Sequence, residues 1–79
     1  MGGQMTNVDE FGVREDTRPE EALRLAMARE RKAQEFYLRC ASIVGDPGVR
    51  KMFEVLAKEE SKHHDLLEGE YNRFVAREG

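Results

Sequence analysis

Seventy-nine residues with 39% hydrophobic and 37% charged side chains are too few to close a large apolar core alone, so self-association is expected. Thirteen Lys and Arg against sixteen Asp and Glu give a net charge of -3, with the signs interleaved, which argues against nucleic acid or an anionic membrane as the main partner. The longest apolar stretch, Phe36 to Val44, is broken by Arg39 and falls far short of the roughly 20 residues of a membrane span, and no signal peptide is visible.

Residues 1–16 read as a flexible arm, because Gly, Gln, Asn and acidic residues there outnumber the scattered Val8, Phe11 and Val13 without helical or strand period. Residues 17–79 read as a helical hairpin. Thr17 followed by Glu20 has the spacing of a capping box, with Pro19 in the first turn, and no Gly or Pro interrupts the chain from there to Val44. The first helix is expected over 18–44, roughly 39 Å from end to end at 1.5 Å per residue. Gly45, Asp46 and Pro47 then supply a left-handed helix closure, a cap and a first helical position, so 45–47 is expected to be a turn that forces an antiparallel partner helix over 48–76. Gly69 is tolerated inside that second helix at a cost of about 1 kcal/mol. No strand signal is present.

The apolar seams carry the anomaly. Spacing of three and four gives Leu23, Ala26, Glu30, Ala33, Tyr37, Cys40 and Val44 on the first helix. On the second it gives Val49, Phe53, Leu56, Glu60, His63, Leu67, Glu70 and Phe74. A charge thus sits in the middle of each stripe. Further apolar flanks, including Phe36, Leu38, Ile43, Met52, Val55 and Leu66, exceed what one hairpin contact can cover, so a second hairpin is expected to pack on the first. Counting from the turn, Glu30, Glu60 and His63 all lie roughly 22 to 26 Å from the bend and converge on one layer. Two carboxylates and an imidazole suit iron or manganese, and two-fold pairing would supply the six side chains of a carboxylate-bridged di-iron centre. Glu30, Glu60 and His63 are therefore the expected metal ligands. His64, about 100° around the helix from His63, is expected in solvent, and the Arg29, Arg31 and Lys32 cluster on a charged outer face. Glu70 reads as a solvated interface residue or a metal entry point, and Cys40 as a small buried hydrophobe in a reducing, cytoplasmic setting.

The run from Glu21 to Leu67 resembles the ferritin-like superfamily, and within it rubrerythrin-type domains and the half-length encapsulated ferritins. The resemblance rests on Glu30 seven residues before Tyr37, on Ala33 between them, and on Ala57, Glu60 and His63 in the pattern Ala-x-x-Glu-x-x-His. It implies an all-α hairpin that joins a second chain in a four-helix bundle, as a homodimer or a larger homo-oligomer. It also implies a di-iron centre, two Fe per dimer, with Glu30 and Glu60 as carboxylate ligands, His63 as a nitrogen ligand and Tyr37 as a nearby hydrogen-bond donor. The implied activity is ferroxidase: Fe(II) is oxidised by dioxygen or peroxide, serving iron storage or detoxification, with Mn as the alternative metal. Two departures qualify this. A lone Cys40 cannot build the cysteine-ligated iron domain of rubrerythrins, which disfavours a self-contained peroxidase. The chain also ends at Arg77, Glu78 and Gly79 rather than on the apolar tag of encapsulated ferritins, so either it is shortened there or confinement in an encapsulin shell, a protein nanocompartment, does not apply. The competing reading is a metal-free helical hairpin serving as an oligomerisation or adaptor module.

Overall fold

The computed structural model describes residues 9–78. Two helices, α1 over Pro19–Ile43 and α2 over Pro47–Glu78, pack against each other as an antiparallel hairpin, and no strand occurs among the described residues. Both helices are built largely from Ala, Leu, Glu, Lys and Arg, which lose little side-chain freedom in helical backbone. Neither is long and apolar enough to cross a membrane.

The ends of the helices explain the turn. Asp46 accepts the Val49 amide at 2.9 Å and Pro47 fills the first position of α2, as expected. Arg50 reaches back to the Val44 carbonyl at 2.9 Å and satisfies an acceptor that α1 leaves open. Gly45 departs from expectation. The chain leaves α1 through Val44 in extended backbone, its amide still bonded to the Cys40 carbonyl at 3.0 Å, and Gly45 does not adopt positive φ. At the start of α1 the capping pair is Arg18 and Glu21 rather than Thr17 and Glu20. The Glu21 carboxylate accepts the Arg18 amide at 3.0 Å, while the Thr17 hydroxyl is occupied by the Arg14 amide at 2.6 Å.

The expected flexible arm lies outside the described residues over 1–8; residues 9–18 form a hydrogen-bonded strap rather than free chain. The Asp9 carboxylate accepts the amides of Phe11 and Val13 at 2.8 and 3.2 Å. Gly12 takes φ +89°, a conformation that strains any side chain, and lies over Leu25. The Phe11 ring then meets the Arg29 guanidinium at 5.1 Å.

The core is thin. Among the described residues the buried hydrophobic side chains are Ala41 and Ala57, and Tyr37 stacks on Phe53 at 6.1 Å between the helices. The stripe of α2 turned toward α1 runs through Phe53, Ala57, Glu60, His64, Leu67, Tyr71 and Phe74, all at least half-buried. Phe53, Glu60, Leu67 and Phe74 match the expected seam. Leu56 is half-buried as expected and shares the inner side with Ala57, but further along the helix His64 and Tyr71 turn inward in place of His63 and Glu70. Glu70 is exposed and pairs with Arg73, and its expected place is taken by Tyr71, whose hydroxyl accepts from Arg24 at 3.3 Å. Large apolar side chains remain in solvent, among them Phe36 at 60% and Leu66 at 74% exposure, together with Leu38, Ile43, Met52 and Val55.

Candidate metal centre

Three donors meet near the middle of the hairpin. Glu30 comes from α1, and Glu60 and His63 come from α2, where a separation of three residues places them one turn apart on adjacent faces. Each offers a ligand atom within 4.8 Å of the other two. His63 Nδ1 stands 3.4 Å from Glu30 Oε1 and 3.8 Å from Glu60 Oε1. The short turn and the 1.5 Å helical rise are what bring residues thirty apart in sequence to the same height.

The electrostatics are those of a site short of positive charge. Glu30 Oε1 is buried and accepts no hydrogen bond, a costly state for a carboxylate oxygen. The Glu60 carboxyl is pushed above its ordinary range, first by the Glu30 carboxyl beside it and then by burial, with His63 opposing the shift. The two side chains are only 25% and 17% exposed, so solvent screens their repulsion weakly, whereas His63 is 52% exposed at the open edge. A groove of about 600 Å³ opens onto both carboxylates, lined by Phe11, Leu25, Ala28 and Ala33 together with the cationic Arg29 and Lys32.

This donor set fits a divalent first-row cation. Two carboxylate oxygens and one imidazole nitrogen suit iron or manganese, and a cation would compensate both the orphaned oxygen and the paired acids. Three donors from one chain leave coordination positions open on any such ion.

Other residues fall differently from expectation. Tyr37 packs against Phe53 and edge-on against Phe36 at 5.7 Å, and makes no hydrogen bond to Glu30 or Glu60 among the described residues of the single chain. Cys40 is a half-buried free thiol. His64, expected in solvent, is half-buried and bonded through Nε2 to Arg31 Nη2 at 3.0 Å. Arg31 therefore belongs to an interhelical contact rather than to a purely solvated face. A step of one residue takes Arg31 toward the turn and His64 away from it, an offset of about 3 Å relative to Glu30 and His63 that the long Arg31 side chain spans.

Fold and site together define a ferritin-like helical hairpin with a carboxylate and histidine cluster. The rubrerythrin family profile matches residues 5–72, most of the chain, and the chain belongs to the rubrerythrin family. No curated protein and no solved structure matches it significantly.

Proposed function

We propose that two copies of the hairpin pair across the open, apolar side to form a four-helix bundle, and that the pair oxidises Fe(II) to Fe(III) with dioxygen or peroxide. The single observation that carries this reading is the convergence of Glu30, Glu60 and His63, with a buried Glu30 oxygen left without a hydrogen bond. The exposed Phe36, Met52 and Leu66 supply apolar surface for the pairing. Two copies would contribute four carboxylates and two imidazoles to a pair of ferrous ions.

The roles of the chain's own groups follow from their chemistry. Carboxylates at Glu30 and Glu60 favour the higher ferric charge, and neutral His63 anchors the substrate ion without adding charge. Before iron arrives, Glu60 retains a proton more readily than an ordinary carboxyl because Glu30 lies beside it; cation binding expels that proton. A two-helix unit encloses no mineral cavity, so the ferric product passes to a store outside the pair, and protection against free Fe(II) is the role best served.

The test is anaerobic Fe(II) titration with the mass of the assembly followed at each addition, then exposure to dioxygen. The reading expects two Fe(II) per pair of chains and rapid ferric absorbance, both lost in Glu60→Ala. Material that oligomerises yet takes up neither iron nor manganese would leave the adaptor reading in its place.

A further inference from the structure

Two adjacent histidines stand beside one acidic cluster, and only one is free to act as a ligand. We propose that Arg31 is a specificity-determining residue that withholds His64 from divalent cations, so that His63 is the sole histidine at the centre. The inference rests on the ferroxidase reading only for the role of His63.

The chemistry follows from the Arg31 contact. A guanidinium has N–H donors, no acceptor, and cannot lose its proton at physiological pH. Its 3.0 Å bond to His64 therefore requires Nε2 to be the lone-pair nitrogen, and in a neutral imidazole the proton must then sit on Nδ1. In that tautomer one nitrogen has its lone pair engaged by Arg31 and the other carries hydrogen, so a cation must displace the guanidinium to reach His64. Switching tautomer to free Nδ1 would place N–H against N–H at Nε2. The argument holds whichever ring nitrogen faces outward.

What Arg31 suppresses is visible in the structure. His64, Asp65 and Glu68 offer ligand atoms within 4.8 Å of one another, a second potential cation cluster one helical turn from the first. His64 is half-buried and Asp65 and Glu68 are exposed. A cation captured there would compete for iron and would lie outside the Glu30 and Glu60 pair. Arg31 counters this twice, by occupying His64 and by placing a fixed positive charge beside the cluster. Among the described residues His63 bonds to no guanidinium; its Nδ1 looks onto Glu30 and Glu60.

The experiment uses the full chain and Co(II) as a spectroscopic probe, with visible absorption and native mass read together. In the unsubstituted protein, His63→Ala is expected to abolish Co(II) uptake and His64→Gln to leave it unchanged. Arg31→Met is expected to bind one additional Co(II) per chain with a distinct absorption band, and His64→Gln in that background to remove it. Loss of Co(II) in the single His64→Gln variant would overturn the proposal, as would an Arg31→Met protein that binds no more Co(II) than the unsubstituted one. The His64→Gln arm can overturn the proposal even where Arg31→Met folds poorly, and Arg31→Gln, which keeps the side-chain length without the charge, then supplies the gain-of-binding arm. Should the unsubstituted protein bind nothing through His63 while Arg31→Met gains a His64-dependent site, the ferroxidase reading fails and the role of Arg31 stands.

Discussion

Replacing Glu30 by methionine should stabilise the metal-free protein and abolish its stabilisation by metal. Glu30 Oε1 is a buried acceptor without a partner, and such a group costs about 1–3 kcal/mol. Its side chain is 25% exposed and Glu60 is 17% exposed, so part of the mutual repulsion is screened, and the lower end, about 1 kcal/mol, is the expected gain. For a domain of this size that corresponds to a melting temperature higher by about 4–8 °C. Divalent metal at a hundredfold excess over its dissociation constant adds about 2.7 kcal/mol to the unsubstituted protein and nothing to a variant that cannot bind it, so the order of stability inverts. The pH response carries the same signature. Because Glu60 is raised in the folded chain, its proton-linked stabilisation is complete below the ordinary carboxyl range and is lost as pH rises through the raised value. Glu30→Met removes the largest cause of that shift and should flatten the slope. Urea unfolding followed by far-ultraviolet circular dichroism, at fixed protein concentration, in chelator and in Mn(II), and at several pH values, measures all three effects. A variant less stable than the parent in chelator, or equal responses of the two proteins to metal, would refute the reasoning.

Asp46→Ala leaves the Val49 amide without its acceptor at the start of α2 and should cost about 1 kcal/mol in the same unfolding assay. Gly69 lies inside α2 with nothing within 4 Å of an added Cβ, so Gly69→Ala should raise stability by about 0.5–1 kcal/mol, seen as a higher denaturation midpoint at unchanged slope. Leu66 is the most exposed of the large apolar side chains noted above, and Leu66→Glu should shift sedimentation toward the monomer at concentrations where the unsubstituted chain pairs. An unaltered sedimentation profile would remove Leu66 from the pairing surface.

Much of the architecture was legible along the chain because it depends on local chemistry and a fixed rise per residue. Uninterrupted helix formers define α1 and α2, Asp46 and Pro47 mark the start of the second, and a turn of three residues compels antiparallel packing. Given that turn, counting in both directions places Glu30, Glu60 and His63 in one layer, which is where they are found. Periodicity also identifies Phe53, Glu60, Leu67 and Phe74 as the axis of the α2 stripe. It cannot say which flank of that axis faces α1, because spacings of three-then-four and four-then-three describe the two flanks equally well. Tertiary packing makes that choice, turning Ala57, His64 and Tyr71 inward. That rotation leaves His63 at the open edge, brings His64 under Arg31 and sends Glu70 into solvent. The strap was likewise settled by a contact between segments, the Phe11 ring against the Arg29 guanidinium, whereas the cap moved to Arg18 through local competition, Thr17 being engaged by the Arg14 amide. Sequence thus determined which residues share a level, since that follows from backbone geometry; only the packed structure decided which way each one points, since that follows from side chains competing for the same narrow interface.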